Sequence, residues 1–214
     1  MQTTLWLPKL DTKISEIETQ SYKLSPARAE LLGEAASEIA KSIQEKPIVG
    51  LNFICTHNSR RSHLSQVWAA VAATYHGIDA IQCFSGGTEA TACNPRVVRS
   101  LRRAGFSVVT QTPQDPNPLY WLQYAETVQP VELFSKTYDC ESNPRGDFYA
   151  MMCCDDADQK CPLITGADGR VALHYRDPKE SDGTPEEAIT YDQRRDEIGA
   201  EMFFLARSVK EHAA

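Results

Sequence analysis

The sequence predicts an α/β fold: a small parallel four-stranded sheet flanked by helices, with an N-terminal helical extension. Three observations carry this. An apolar run, Ile48 to Ile54, reads as a buried strand and passes through a short polar loop into a helical pattern, in which Leu64, Val67, Trp68, Val71, Ala72 and Tyr75 recur at helix spacing. Strand and helix patterns then alternate to about residue 110. A second continuous apolar run, Phe148 to Cys154, reads as another buried strand.

In chain order, residues 1–24 are mixed and polar and are expected to wrap the surface. Ser25-Pro26 has the form of an N-cap followed by proline at the first helical position. Leu31, Leu32, Ala35, Ala36, Ile39 and Ile43 then mark one face of an amphipathic helix that must be buried, with packing against the domain favoured over recognition of a partner. Residues 1–46 are therefore read as the extension and residues 47–214 as the catalytic domain.

The helix after the first strand is expected to run to His76 and stop at Gly77. Ala80 to Phe84 reads as a second strand and Ser85-Gly86-Gly87-Thr88 as a turn. Asn94-Pro95 starts a helix with Val97, Val98, Leu101 and Ala104 inward and Gly105 as its stop, and Phe106 to Val109 reads as a third strand. Residues 110–147 are rich in proline; Leu119 to Tyr124 is expected to form one or two helical turns, and the whole stretch an excursion, either a lid near the site or surface packing. Phe148 to Cys154 is the next strand, Asp155 to Pro162 a polar loop, and Val171 to Tyr175 a further strand. Thr184 and Glu187 have capping-box spacing before a final helix carrying Ile198, Met202, Phe203, Ala206 and Val209.

The loop Cys55-Thr56-His57-Asn58-Ser59-Arg60-Arg61-Ser62 is the chemical centre of the chain. A loop between strand and helix can wrap an oxyanion with backbone N–H groups backed by the helix N-terminus. Five residues separate Cys55 from Arg61, a spacing that can place a thiolate below a tetrahedral anion and a guanidinium fork beside it. That field should make Cys55 a nucleophile at neutral pH, with Ser62 able to donate to the sulfur. A second constellation is Cys154 and Cys161, flanking the polar segment. With Cys55 they could form a relay in which one thiol attacks a substrate and the others pass on the resulting bond; zinc bound by Cys154, Cys161 and His174 is the alternative. Cys153, facing the other way, is expected to be a core residue. Asp177-Pro178, just past a strand at the same edge, is either a general acid or an ordinary turn.

Composition narrows the partners. The chain has 214 residues, a net charge of -7 and 42% apolar residues. Such an acidic protein is not expected to bind nucleic acid, whereas one basic pocket in an acidic surface suits a small anion. Seven cysteines, no signal-peptide pattern and no membrane-spanning run lead to the expectation of a cytoplasmic protein with reduced thiols.

The loop CTHNSRRS, the segment Ser85-Gly86-Gly87-Thr88-Glu89 and the helix start Asn94-Pro95 resemble the low-molecular-weight protein tyrosine phosphatases and the thioredoxin-coupled arsenate reductases of the same fold. The segment Cys154 to Cys161, absent from the phosphatases, resembles the redox segment of the reductases, as do His174 to Pro178, Gly183 and Arg195-Asp196-Glu197-Ile198. The resemblance covers residues 48–110 and 148–206. The chain departs from the family pattern at His57, where glycine is usual, at Arg60, often a second cysteine, at Gln66, often acidic, and at Lys179, a tyrosine in the phosphatases.

The resemblance implies a low-molecular-weight phosphatase-like sheet and an arsenate reductase. Cys55 would be the nucleophile, Arg61 and the loop residues Thr56, His57, Asn58, Ser59, Arg60 and Ser62 would hold the anion, and Asp177 would be the acid. Cys154 and Cys161 would form a disulfide recycled by thioredoxin, with no cofactor or metal. The alternatives are hydrolysis of phosphate esters through a phosphocysteine at Cys55, and a non-catalytic oxyanion or redox sensor.

Overall fold

A computed structural model describes residues 4–160 and 163–214. Four strands, β1 (Val49–Cys55), β2 (Ile81–Gly87), β6 (Phe148–Met152) and β7 (Ala167–Ala172), form a parallel sheet in the order β2-β1-β6-β7. All seven residues of β1 and all five of β6 are buried, as befits central strands covered on both faces. The carboxyl ends of β1 and β6 therefore open onto one edge, where ligands of open parallel sheets bind.

Around the sheet lie α2 (Pro26–Glu45), α3 (Arg61–His76), α4 (Pro95–Ala104) and α6 (Glu187–Ala213), with α6 packed against both α2 and α3. Trp68 of α3 is fully buried where its ring meets Phe106 edge-on at 5.4 Å and Phe203 of α6 at 6.2 Å. The expected caps form: Ser25 Oγ accepts from Arg28 N–H, and Asn94 Oδ1 accepts from Arg96 N–H at 2.9 Å.

The N-terminal stretch departs from its expected role as a surface wrap. Pro8–Gln20 is a helix, α1, with Leu10, Ile14 and Ile17 buried in the same apolar cluster as the sheet and α6. A mostly polar helix still has one inward stripe at i, i+4 and i+7, and that stripe is enough to dock it. The α1 backbone presses on Gly105, where a Cβ would lie 2.6 Å from Leu10 N and where φ is +109°; glycine is required on both counts. The apolar face of α2 is buried within the chain, Leu32, Ala36 and Ile39 being wholly inaccessible. Arg28 of α2 pairs with the buried Glu201 of α6 and donates to Leu173 O at 2.6 Å, and Tyr175 Oη donates to Glu201 at 2.8 Å.

Other expectations need correction. Ser85, Gly86 and Gly87 are not a turn; they continue β2 in register with Phe53 to Cys55. The predicted third strand, now β3 (Ser107–Thr110), lies outside the parallel sheet. Instead it pairs antiparallel with β4 (Tyr120–Gln123), which pairs with β5 (Val131–Leu133). Tyr120 to Gln123 is therefore strand, not helical turn: Tyr120 and Leu122 face the core and Trp121 and Gln123 are half-buried, a period of two. Asp155–Lys160 is not loop but a short helix, α5, with three aspartates in its first turn where the helix N-terminus favours negative charge. β7 starts earlier than expected and ends at Ala172, because the chain turns away at His174, whose φ is +43°. The Thr184–Glu187 capping box does not form: α6 starts at Glu187, whose carboxylate accepts from Gly183 N–H at 2.8 Å.

Candidate active site

The polypeptide leaves β1 at Cys55 and re-enters regular structure at Arg61, the first residue of α3. None of the backbone N–H groups of Thr56, His57, Asn58, Ser59 and Arg60 has an acceptor among the described residues. These donors and the N-terminus of α3 form a cradle that an anion can satisfy. Cys55 is 3% exposed, and Ser62 Oγ lies 3.1 Å from its sulfur. Asn58 Nδ2–H donates to that hydroxyl at 2.9 Å. An incoming donor on Ser62 Oγ leaves the hydroxyl proton free to point at the Cys55 sulfur.

The loop is held by backbone and side-chain hydrogen bonds. Asn58 takes the left-handed conformation, φ +42°, which asparagine tolerates. Its Oδ1 accepts from Lys136 N–H at 2.9 Å. Ser59 Oγ donates to Ala92 O at 2.7 Å, and Ser135 Oγ donates to His57 O at 2.8 Å. Gly87 packs directly behind the loop: a Cβ there would meet Asn58 N at 2.7 Å and Thr56 O at 2.8 Å. Within the excursion 110–147, Ser135 and Lys136 thus pack directly against the anion loop. His57 is half-exposed, lies 3.8 Å from Glu89 and does not need a positive φ.

Arg61 is half-buried at the site and makes two directed bonds. One nitrogen donates to Tyr175 O at 3.0 Å and the other to Asp177 Oδ2 at 2.8 Å. Burial alone would lower the guanidinium pKa, but Asp177 and the neighbouring thiols Cys154, Cys55 and Cys153 outweigh it and raise it. Arg61 is thus a fixed cation facing sulfur. Asp177 also accepts from Lys179 N–H at 3.0 Å as the cap of a short 3-10 helix, Pro178–Ser181, so a turn and a site contact coincide in one residue.

Cys154 emerges just past β6, 3% exposed, with its sulfur 3.5 Å from Thr56 Oγ1 in the anion loop. Cys55, Arg61, Asp177 and Cys154 are therefore brought together at one sheet edge. Cys153 faces the core beside Ser65, and burial pushes its thiol well up. Cys161 lies outside the described residues. Both ring nitrogens of His174 face carboxylates, Nδ1 to Asp155 at 2.6 Å and Nε2 to Asp158 at 2.9 Å. Burial would raise the Asp158 pKa, yet Arg170 and His174 hold it below the usual carboxylate value. These pairs tie α5 to the end of β7. Among the described residues no group of three or more His, Cys, Asp or Glu is arranged to hold a metal ion, and no helix is long and apolar enough to cross a membrane.

The expectation that Arg60 helps hold the anion needs qualification. Its side chain turns away, Nε donating to Tyr191 Oη at 2.8 Å and Nη2 facing Asp182 at 3.3 Å, so only its backbone belongs to the cradle. Lys136 and Tyr175 hold the loop and Arg61 through backbone atoms, which carry no side-chain signature, and Ser135 does so through a hydroxyl that belongs to no motif.

His63, the third residue of α3, donates from Nε2 to Phe134 O at 3.2 Å and is wholly buried. Burial, and secondarily Lys136, lowers its pKa from 6.5 to about 4. The unfolded chain therefore binds this proton more readily than the folded one between those values. The stabilising contribution is complete above about pH 6.5 and is lost as pH falls toward 4. We expect the wild type to lose roughly 3 kcal/mol more stability than His63→Gln over that interval, read from urea unfolding at each pH. Parallel pH profiles for the two proteins would contradict the assignment.

The family model described as low molecular weight phosphotyrosine protein phosphatase matches residues 50–119. A protein named arsenate reductase from Bacillus licheniformis is 32% identical over 150 residues, covering 69% of this chain and 87% of the relative. Another arsenate reductase, from Bacillus subtilis, is 30% identical over 159 residues, covering 74% of this chain and 95% of the relative. Among solved structures, a YwlE mutant from Bacillus subtilis has a TM-score of 0.52 at 17% identity, covering 76% of this chain and 99% of that one. A low-molecular-weight phosphotyrosine phosphatase from Vibrio cholerae O395 also reaches 0.52, at 14% identity, covering 78% of this chain and 99% of that one. At these identities the structural likeness speaks for the fold.

Proposed function

The chain belongs to the arsenate reductase branch of the low-molecular-weight phosphatase fold, and we propose from this premise that it reduces arsenate to arsenite through a cysteine relay recycled by thioredoxin. The observation that carries the reading is the second thiol, Cys154, set 3.5 Å from Thr56 Oγ1 inside the anion loop of Cys55. A phosphatase needs no such thiol, because water resolves its adduct.

Arsenate would enter the cradle of N–H groups and take over from Asp177 as the partner of Arg61, whose fork suits two anion oxygens. Cys55 thiolate attacks arsenic, forming an S–As bond. Asp177, freed from Arg61 and carrying a proton, donates it to the departing oxygen, which leaves as water. Cys154 thiolate then attacks the Cys55 sulfur. The S–As bond breaks with its electron pair remaining on arsenic, so arsenic(V) becomes arsenic(III) and a Cys55–Cys154 disulfide forms. Cys161 thiolate attacks Cys154, releasing Cys55 as thiolate and leaving a Cys154–Cys161 disulfide. A dithiol of the thioredoxin kind supplies the two electrons that reopen it. The α5 segment between the two thiols must move for this exchange, and the Asp158–Arg170 and His174 pairs are the contacts it has to loosen.

Purified protein assayed for arsenate-dependent oxidation of reduced thioredoxin, beside hydrolysis of p-nitrophenyl phosphate, tests the reading. Arsenate turnover with weak ester hydrolysis is expected. Efficient ester hydrolysis without arsenate reduction would make the chain a phosphatase. Neither activity would point to an oxyanion or redox sensor.

Asp177→Asn is expected to slow the first chemical step by about 10²–10⁴-fold, the usual worth of a general acid, while arsenate still binds. Single-turnover measurements read this directly. An unchanged rate would leave Asp177 as the cap of its 3-10 helix and nothing more.

A further inference from the structure

Behind the catalytic loop lies a cavity of about 400 Å³ lined by Gln66, Ala70, Gln82, Val131, Phe134 and Lys136, among others. Lys136 is its unusual member. The residue is only 7% exposed, yet its ammonium makes no hydrogen bond and no ion pair among the described residues. Its Nζ lies over the face of the Phe134 ring, 4.3 Å from the centroid. A ring face attracts a cation but does not accept its three N–H bonds as a carboxylate would. A largely buried cation without an ion-pair partner is costly: burial lowers the Lys136 pKa, and the nearby Cys140 and Glu132 offset this only in part. Space adjoining the ammonium is therefore an invitation to a counter-ion.

We propose that this cavity is a second ligand site, separate from the Cys55 loop, that takes a small monocarboxylate with an apolar body, its carboxylate on Lys136. Three features set that class. The ammonium supplies one positive charge. Phe134, Val131 and Ala70 supply an apolar wall for a ring or short chain. Glu132, exposed and also lining the cavity, forms no ion pair with Lys136 and places a negative charge at the mouth, which disfavours a multiply charged oxyanion. The site adjoins the catalytic loop through one residue, since Lys136 N–H donates to Asn58 Oδ1. Side-chain substitution at Lys136 keeps that backbone bond.

The test uses sodium benzoate as the probe and benzamide as its uncharged isostere, titrated calorimetrically at pH 7 into the full chain. Fragment-sized probes bind in about the millimolar range, so the titration is run to tens of millimolar. Benzoate is expected to bind at least about tenfold more tightly than benzamide, and Lys136→Met to lose that advantage. Lys136→Arg, which keeps the charge, is expected to retain binding within about threefold, separating loss of the cation from loss of the fold. Arg61→Gln, which weakens anion capture at the Cys55 loop, should leave benzoate affinity unchanged. No benzoate binding, equal binding of the two probes, binding indifferent to Lys136→Met, or loss of binding in Arg61→Gln would each overturn the proposal.

Discussion

Cys55→Ser is expected to abolish arsenate turnover and any ester hydrolysis, by more than about 10⁴-fold, while leaving anion binding in place. In the proposed relay the nucleophile is the sulfur of Cys55, which lies 3.1 Å from Ser62 Oγ. A serine hydroxyl in its place keeps its proton at neutral pH and gives arsenic no sulfur to carry. In this reading, nothing that would hold the anion depends on the sulfur. The cradle is made of N–H groups from Thr56 to Arg60, and its shape is fixed by Asn58, Ser59, Ser135 and Gly87. Arsenate titrated into the serine variant should therefore bind within a few-fold of the wild type. Turnover retained by the variant would remove Cys55 from the centre of the mechanism. Loss of both binding and turnover would show that the sulfur also shapes the loop, a role the structure gives instead to backbone and Asn58.

The parts of the fold that could be read from the sequence are those in which local pattern and tertiary role agree. The apolar run into Cys55 is buried from Val49 onward as β1, and of the helix-spaced residues after Arg61, Leu64, Val67, Trp68, Val71 and Ala72 are buried in α3 while Tyr75 is exposed. Ser25-Pro26 and Asn94-Pro95 start helices because capping is a local event that a few residues decide. The misread parts depend on partners distant in sequence. Tyr120 to Gln123 is a strand because Ser107–Thr110 and Val131–Leu133 flank it, and nothing within the segment announces them. Ser85 to Gly87 looked like a turn by composition, yet its glycines are there because Tyr138 and the anion loop approach too closely for a Cβ. At the site, four residues read from motif spacing, Cys55, Arg61, Asp177 and Cys154, fall at one edge. The loop's supports, Lys136 N–H on Asn58 and Tyr175 O under Arg61, are backbone contacts, which no motif marks.

Cys154→Ser and Cys161→Ser are each expected to end multiple turnover of arsenate, and to stop it at different points. In Cys154→Ser the arsenic adduct on Cys55 forms, but no thiol stands at Thr56 to displace it, so no arsenite is released. In Cys161→Ser the first two attacks proceed. One equivalent of arsenite appears, and the chain stalls with Cys55 joined to Cys154, because the resolving sulfur is missing. Peptide mapping under non-reducing conditions distinguishes the two: Cys55 without a disulfide partner in the first variant, a Cys55–Cys154 link in the second, and a Cys154–Cys161 link in the arsenate-treated wild type. Cys153 is no substitute for either, since burial holds it as a thiol facing Ser65. Any phosphate ester hydrolysis should survive both substitutions, because water completes that reaction at Cys55. Turnover that persists in both variants, or a wild type whose Cys154 and Cys161 stay reduced while arsenate is consumed, would break the relay and leave Cys154 as a buried residue beside the loop.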